Sequence, residues 1–260
     1  MSAIDHSHSR TKIAITGATS GIGLSLTKLL ATEELFLAGR NFIEAKKLPF
    51  KTPPVFCDAD LSTEEGIESM RMSMEKFSPD IVIYCAGFTE YQFFNRRNIT
   101  SLDQEKRCLF DGAYHLMWSF INQRKAQSKT GTFLVVSSVL AYLPSPAMAM
   151  YGATKAAVTS LAASLDAENK KDGIRVLSCA PGPVHTAFQQ RASKGLYSNK
   201  DYWAVTPDEV ANIITKQINT KKATTHPGLM GLFGYLGGKL LPWWLFTALL
   251  VKRVQKRIAN

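Results

Sequence analysis

The chain has 260 residues, of which 45% are hydrophobic and 20% are charged. This length and composition predict one globular domain, and they exclude a disordered chain, a collagen-like fibre or a small disulfide scaffold. The 31 Lys and Arg residues against 21 Asp and Glu residues give a formal net charge of +10. Because a basic total can indicate nucleic acid, an anionic membrane or mere solubility, the position of the charge decides its meaning.

The positive charge is concentrated at the C-terminal end. Glu209 is the last acidic residue, and the segment 210–260 carries +8, which leaves +2 for the first 209 residues. The body of the protein is therefore nearly neutral, so we expect no nucleic-acid partner. An anionic membrane surface is the candidate partner for the C-terminal segment.

The four cysteines, at positions 57, 85, 108 and 179, are scattered. None stands in Cys-x-x-Cys spacing, so we expect no metal site and free thiols, which are typical of a reducing compartment. Residues 1–10 are polar and lack the apolar core of a secretory signal. We therefore expect a flexible N-terminal tail and a cytoplasmic location.

Short apolar runs alternate with longer stretches of helical periodicity. The runs predict strands at Lys12–Thr16, Leu35–Ala38, Val55–Cys57, Ile81–Tyr84, Thr132–Val136 and Ile174–Cys179, with Ala223–His226 as a candidate last strand. Helices are predicted over Leu24–Leu30, Glu64–Phe77, Leu102–Lys125 and Tyr151–Lys170, and from Pro207 after an N-cap at Thr206. This order predicts one doubly wound α/β domain of Rossmann type over residues 11–226, with a parallel sheet covered on both faces.

A glycine-rich turn, residues 16–23, connects the first predicted strand to the first helix. Glycines let the backbone approach a pyrophosphate closely, and the N-terminus of the helix offers free N–H groups and a positive dipole end. The alternative is a glycine-rich connection without a ligand. The residues expected to bind a dinucleotide here are Gly17, Thr19, Ser20, Gly21, Ile22 and Gly23.

The Gly-x3-Gly-x-Gly spacing of this turn resembles the glycine motif of the short-chain dehydrogenase/reductase family. Asp60-Leu61-Ser62 resembles that family's short Asp motif, which implies that Asp60 binds the adenine, with Asp58 as a rival. Where an NAD-specific member usually places an acid, this chain has Arg40, whose guanidinium can pair with a 2′-phosphate. NADP(H) is therefore expected in preference to NAD(H), unless Arg40 is only a solvated charge.

Tyr151 and Lys155 stand at the start of a predicted helix, and Ser138 ends a strand thirteen residues before the tyrosine. The i, i+4 spacing places the phenol and the ammonium on one helix face, where positive charge favours a phenolate. Ser138 can donate to a substrate oxygen as charge develops on it. All three match the catalytic residues of the family, in which the Tyr and the Lys also contact the cofactor.

Two further segments carry the resemblance, which spans about residues 11–220. The segment 181–186, Pro-Gly-Pro-Val-His-Thr, resembles the family's Pro-Gly motif near the nicotinamide, with Thr186 on the carboxamide. Cys85-Ala86-Gly87 resembles the family's Asn-Ala-Gly turn, but Cys85 replaces the Asn and removes a backbone tie. The cofactor residues implied by these segments are Ala86, Gly87, Pro181, Gly182, Val184 and Thr186.

The fourth catalytic residue of the family is an Asn in a water-mediated proton relay to the Lys. The position that aligns with it here is Asp111. We expect the relay to survive through the backbone carbonyl of Asp111. The pH optimum should change, because a carboxylate near Lys155 would raise the pKa of the ammonium and oppose the phenolate.

Residues 184–206 lie where the family keeps a variable substrate lid. Its apolar side chains are expected either to wall an apolar pocket or to pack within the lid: Phe188, Leu196, Tyr197, Tyr202 and Trp203.

Residues 227–260 form an apolar and basic C-terminal extension. Gly228–Val251 has one charge, but that charge, Lys239, lies in the middle, and glycines and Pro242 interrupt the segment, which opposes a membrane span. Two pieces are predicted instead: a glycine-rich hairpin or helix up to Leu241, and an amphipathic helix from Pro242. We expect the extension to contact an anionic membrane, with packing on a partner subunit or over the pocket as the alternative.

Together these features predict an NADP(H)-dependent oxidoreductase that interconverts a carbonyl and an alcohol on a lipophilic small molecule. The family resemblance implies a homodimer or homotetramer, and the tail suggests a peripheral position on the inner face of a membrane. The alternative is a non-catalytic cofactor-binding or membrane-tethered scaffold. Intact Ser138, Tyr151 and Lys155 oppose that alternative, whereas Cys85 and Asp111 favour it.

Overall fold

The computed structural model describes residues 10–195 and 203–240, together with Pro242, Trp244 and Thr247. In this part of the chain one parallel sheet has the strand order β3-β2-β1-β4-β5-β6-β7. The strands are β1 (Lys12–Thr16), β2 (Glu34–Gly39), β3 (Val55–Asp58), β4 (Ile81–Tyr84), β5 (Gly131–Val136), β6 (Ile174–Cys179) and β7 (Thr224–Thr225). The chain changes direction across the sheet between β1 and β4, and a doubly wound sheet binds its ligand at the carboxyl ends of such strands.

Helices cover both faces of the sheet. They are α1 (Gly21–Leu29), α2 (Ile43–Lys46), α3 (Glu64–Phe77), α4 (Ile99–Lys106), α5 (Gly112–Ala126), α6 (Ala149–Asn169), α7 (Ala187–Ala192), α8 (Pro207–Thr220) and α9 (Leu229–Leu240). Neighbouring residues of β1 point to opposite faces, so Ala14 packs with α3, α5 and α6, while Ile13 and Ile15 pack with α1 and α8. The strands are apolar on both sides for this reason.

The predicted doubly wound domain is confirmed, and each predicted strand agrees with the structure to within one residue at either end. The helix predicted over Leu102–Lys125 begins earlier, at Ile99, and has a π turn, Arg107–Asp111, between α4 and α5. A π turn holds one residue more than an α turn, so it changes which side chains face the body.

The start of α8 is also confirmed. The Thr206 side chain accepts from the Glu209 backbone N at 3.2 Å, and the Glu209 carboxylate accepts from the Thr206 backbone N at 2.6 Å. The glycine-rich piece before Leu241 forms a helix, α9, rather than a hairpin. Residues 1–9 of the predicted tail 1–10, the lid residues Leu196, Tyr197 and Tyr202, and most of the helix predicted from Pro242 lie outside the described residues.

Candidate active site

The turn between β1 and α1 has almost no free space. Gly17 and Gly21 have φ values of +65° and +52°, in the left-handed region that favours glycine. A β-carbon on Gly23 would lie 2.1 Å from the Gly17 carbonyl oxygen. Ser20 begins α1 without a side-chain cap bond, so the first N–H groups of the helix remain available to an anion. These features fit the pyrophosphate of a dinucleotide.

The turn after β4 is tied to this glycine turn by a threonine. The Thr16 hydroxyl oxygen accepts from the backbone N of Cys85 and of Ala86, at 3.1 and 3.0 Å. A β-carbon on Gly17 would lie 3.0 Å from Ala86 Cα. Thr16 therefore connects the carboxyl ends of β1 and β4, although Cys85 lacks the side-chain amide of an Asn.

Arg40 and Asp60 meet beyond the ends of β2 and β3. The Arg40 guanidinium donates to the Asp60 carboxylate at 3.3 Å, and both side chains are partly exposed. The other carboxylate oxygen accepts from the Ser62 backbone N and hydroxyl at 3.0 and 2.7 Å. Burial acts to raise the pKa of Asp60. The hydrogen bonds from Ser62 and the positive charge of Arg40 together outweigh burial, so the pKa of Asp60 lies below its ordinary value. The rival residue, Asp58, is exposed at the end of β3.

Ser138, Tyr151 and Lys155 come together at the carboxyl end of β5. Ser138 follows β5, and α6 carries Tyr151 and Lys155; all three are at least 91% buried. The Ser138 hydroxyl lies close enough to the Tyr151 hydroxyl to lower the pKa of the phenol, and Ser138 Oγ accepts from the Leu140 backbone N at 3.2 Å. Lys155 Nζ lies 5.7 Å from the centroid of the Tyr151 ring and donates to the Val136 carbonyl oxygen at 2.7 Å. The i, i+4 pair thus lies on one face of α6, as predicted.

Burial acts oppositely on the pKa values of the two ionisable groups. It raises the pKa of Tyr151 to about 12, and the Ser138 hydroxyl only reduces this shift. It lowers the pKa of Lys155 to about 8, although Cys108 and Cys85 act in the other direction. The phenol is therefore held protonated at neutral pH, and its pKa lies above its ordinary value rather than below it. A protonated phenol suits proton donation to a carbonyl oxygen.

One cavity of about 670 Å³ joins the glycine turn to these three side chains. Thr19, within the glycine turn, and Ala86, beside that turn, do not line the cavity, and Arg40 and Asp60 lie beyond it. The sequence-predicted residues that line it are Gly17, Ser20, Gly21, Ile22, Gly23, Gly87, Ser138, Tyr151, Lys155, Pro181, Gly182, Val184 and Thr186, together with the lid residues Phe188 and Trp203.

The Asp111 carboxylate does not pair with Lys155. It accepts from Lys106 Nζ at 2.7 Å, and the residue does not line the cavity. The charged groups that act on the pKa of Lys155 are Cys108 and Cys85, and not Asp111. The expected relay through the Asp111 backbone carbonyl stays a prediction.

Sequence reasoning missed the role of the π turn. Its Cys108 carbonyl oxygen accepts from the hydroxyl of the fully buried Tyr84 at 2.6 Å. A β-carbon on Gly112 would lie 2.5 Å from the Tyr84 hydroxyl, so only glycine leaves room for this bond. The π turn also packs on α6, which carries Tyr151 and Lys155. Tyr84 is the residue before Cys85, but nothing in the sequence marked it as a tether.

The other end of the cavity is mostly apolar, although Gln189 and Arg191 also line it, and most of its residues were not predicted. The loop between Ser138 and Tyr151 contributes Leu143, Pro144 and Met148. Phe188, from α7, stands with its ring centroid 5.7 Å from that of Tyr151. Met230 and Gly234 of α9 complete the wall, so the C-terminal extension takes part in the site. The prolines between Ser138 and Tyr151 were the available signal for a site loop.

These features define a class of protein, an oxidoreductase that binds a dinucleotide at the carboxyl edge of a parallel sheet. The family model of short chain dehydrogenases matches residues 11–196. An uncharacterized oxidoreductase of Staphylococcus epidermidis is 27% identical over 227 residues, covering 84% of this chain and 98% of the relative. Another uncharacterized oxidoreductase, from Staphylococcus aureus, is 28% identical over 236 residues, covering 83% of this chain and 97% of the relative.

Solved structures share the fold. A short-chain dehydrogenase from Sphingobium yanoikuyae, in complex with NADPH, has a TM-score of 0.77 at 20% identity over 96% of both chains. A bulky-bulky ketone specific alcohol dehydrogenase from Comamonas testosteroni has a TM-score of 0.74 at 22% identity, covering 96% of this chain and 94% of that one. A 4-hydroxyisoleucine dehydrogenase complexed with NADH has a TM-score of 0.72 at 23% identity, covering 82% of this chain and 95% of that one.

This chain belongs to the short-chain dehydrogenase/reductase family. It is an NAD(P)-dependent oxidoreductase of the kind that acts on CH–OH groups.

Proposed function

We propose that the protein reduces the carbonyl group of a lipophilic small molecule, and oxidises the corresponding alcohol, with NADP(H) as its cofactor. The observation that carries this proposal is the cavity with the glycine turn at one end and buried Ser138, Tyr151 and Lys155 further along. Its remaining wall is mostly apolar, although Gln189 and Arg191 also line it, and the apolar part suits the uncharged portion of a lipophilic substrate.

The side chains have separate roles in this reaction. The bound nicotinamide supplies the hydride, or accepts it in the reverse direction. The Tyr151 hydroxyl donates its proton to the substrate oxygen as negative charge develops there, and the Ser138 hydroxyl hydrogen-bonds the same oxygen. Lys155 Nζ, held by the Val136 carbonyl, places a positive charge next to the phenol that has lost its proton. The Asp111 carboxylate takes no part in this scheme, because it is paired with Lys106, and a relay to Lys155 would have to run through the Asp111 backbone carbonyl.

The preference for NADP(H) rests on Arg40. Its guanidinium is exposed beyond β2. Among the described residues it forms an ion pair only with Asp60, which is itself partly exposed, so a 2′-phosphate can compete with Asp60 for the guanidinium. The related structures support either cofactor, since one holds NADPH and another NADH. Arg40→Gln should reduce the ratio of kcat/KM for NADPH to that for NADH by roughly tenfold. An unchanged ratio would contradict the preference.

A bulky apolar ketone or aldehyde is the proposed substrate class. Leu143, Pro144, Met148 and Phe188 surround the space next to Tyr151. The relative from Comamonas testosteroni, described as specific for bulky-bulky ketones, has a similar fold and supports this class.

The test is NADPH oxidation against a panel of lipophilic and small polar carbonyl compounds. We expect turnover of the lipophilic members and a loss of at least about a thousandfold in kcat for Tyr151→Phe, with NADPH affinity nearly unchanged. Equal turnover by Tyr151→Phe would overturn the mechanism. Tight NADPH binding without turnover of any compound would favour the non-catalytic scaffold instead.

We also propose a homodimer or homotetramer that works on the cytoplasmic side of a membrane as a peripheral protein. All four cysteines are free, as a reducing compartment favours. Among the described residues, no helix has the length and apolar character needed to cross a bilayer. Light scattering of the purified chain tests the assembly, and a monomeric mass would contradict it.

A further inference from the structure

Helix α9 lies against the body through its glycines. β-carbons on Gly234 and Gly238 would lie 2.2 Å from Val139 Cγ2 and 2.1 Å from the Tyr142 carbonyl oxygen. The glycines of α9 that contact the body recur three and four residues apart, so they share one side of the helix. This close contact fixes which side of α9 faces the body and which faces away.

The opposite side of α9 is apolar and exposed. Its large side chains recur at the same helical spacing, and Phe233 and Leu240 are 62% and 75% exposed. Single exposed apolar residues are ordinary, but a continuous row on one helix face indicates an interaction surface. We define the outward face of α9 as Leu229, Leu232, Phe233, Leu236 and Leu240.

The cavity opens beside this face. Met230 of α9 lines the cavity and is also 43% exposed. Trp203 likewise lines the cavity and is largely exposed. The rim of the cavity therefore includes α9, and a surface that covers the outward face of α9 would lie next to the opening.

The charges on α9 and in the sequence on either side of it have one sign. Residues 210–260 contain eight Lys and Arg and no acid. Four of these cations, at 252–257, lie outside the described residues, and Lys239 lies at the end of α9 with its Nζ 4.8 Å from the Tyr235 ring centroid. An apolar face on a segment whose charges are all positive fits the surface of a bilayer that contains anionic lipid. A second copy of the chain fits less well, because a two-fold contact would bring two positive segments together.

We propose that the outward face of α9 docks onto a bilayer that contains anionic lipid, and that the cavity takes its lipophilic substrate from that bilayer. The docking stands without any catalytic activity. The delivery of substrate rests on the proposed function and deepens it.

Vesicle co-sedimentation of the full chain tests the docking. The probes are vesicles of phosphatidylcholine alone and vesicles in which about one lipid in four is phosphatidylserine. We expect binding to the anionic vesicles that weakens with salt, and roughly tenfold or greater weakening in the double variant Phe233→Ser, Leu240→Ser. The control is Ile43→Ser, Met72→Ser, which removes two equally exposed apolar side chains from α2 and α3 and should bind as the wild type does.

Three results would overturn the docking. The first is equal vesicle binding by the α9 variant and the wild type, and the second is equal loss of binding in the control. The third is a fall in oligomeric mass caused by the α9 variant without vesicles, because it would make the outward face a contact between subunits.

Steady-state kinetics test the delivery of substrate. Anionic vesicles should lower the KM of the wild type for a long-chain ketone several-fold relative to the α9 variant, and leave the KM for a short water-soluble ketone unchanged. Equal effects on wild type and variant would overturn the delivery. An enzyme that turns over neither ketone would refute the proposed function, and the vesicle measurements would still decide the docking.

Discussion

Two sets of glycines in this protein serve the same steric purpose with different consequences. In the turn 17–23, glycines let the backbone fold on itself and leave the first N–H groups of α1 free. In α9, glycines let one helix lie against the segment after Ser138. The first set creates a place for a ligand inside the core, and the second attaches a helix whose other side remains exposed.

The difference lies in what surrounds each set. The turn is flanked by fully buried residues of β1 and α1, so any displacement there disturbs the core. Helix α9 has a single buried residue, Gly231, so its displacement leaves the core intact. We therefore expect the turn to control both folding and cofactor binding, whereas α9 should act mainly on the substrate end of the cavity.

The largest expected effect is that of Gly23→Ala. The new β-carbon would meet the Gly17 carbonyl oxygen at 2.1 Å, a backbone atom that cannot move without opening the turn. We expect a loss of about 3 kcal/mol or more in the free energy of unfolding and no measurable NADPH binding. Denaturant unfolding and fluorescence titration check this, and near wild-type NADPH affinity would contradict the proposed role of the turn.

Lys155→Met should separate stability from function. Burial lowers the pKa of Lys155 to about 8 from 10.5, so the fold disfavours its charged form. The unfolded chain keeps the proton up to the higher value, and the stability of the wild type should therefore rise between about pH 8 and 10.5. At pH 7 we expect the variant to be inactive and about 2 kcal/mol more stable, with this advantage shrinking above pH 8.

The control for this prediction is Lys129→Met, at an exposed position. Its stability should stay within about 0.5 kcal/mol of the wild type at each pH. A Lys155 variant that is less stable than the wild type at pH 7 would show that the fold does not disfavour the buried charge.

Tyr84→Phe tests the tether of the π turn. Removing the hydroxyl leaves the buried Cys108 carbonyl without this donor, which should cost about 1–2 kcal/mol of unfolding free energy. Tyr114→Phe, at an exposed site on α5, should cost less than about 0.5 kcal/mol. Equal costs for the two variants, measured by urea unfolding, would refute the tether.

Gly238→Ala should have the smallest effect on stability and completes the comparison between the two glycine sets. Its β-carbon would meet the Tyr142 carbonyl oxygen at 2.1 Å, so α9 must move. Because α9 adds little to the core, we expect less than about 1 kcal/mol of destabilisation and unchanged NADPH affinity. The KM for a lipophilic ketone should rise several-fold, and a large loss of stability would contradict the independence of α9.

The sheet and the glycine turn could be predicted because their signals are local. A strand followed by closely spaced glycines and a helix admits few structures, and β4, β6 and α3 begin and end where their apolar patterns do. Tyr151 and Lys155 share a helix, so their spacing alone placed them together.

The features that the sequence did not predict depend on contacts between segments that are far apart in the chain. The π turn is tied to β4 by the hydrogen bond from Tyr84 to Cys108, two residues 24 positions apart, and no local pattern indicates this bond. The glycines of α9 were interpreted as interruptions, because their partners, Val139 and Tyr142, lie almost a hundred residues earlier in the chain.

The most direct test of the proposed reaction follows the transferred hydride in the presence and in the absence of the proposed proton donor, Tyr151. NADPH carrying deuterium on the transferred position of its nicotinamide ring is incubated with a lipophilic ketone and either the wild type or Tyr151→Phe, and the alcohol is analysed by mass spectrometry. We expect deuterium on the carbinol carbon with the wild type and almost no alcohol with Tyr151→Phe. Labelled alcohol formed equally by both proteins would contradict the role of Tyr151, and no labelled alcohol from any lipophilic ketone would contradict carbonyl reduction itself.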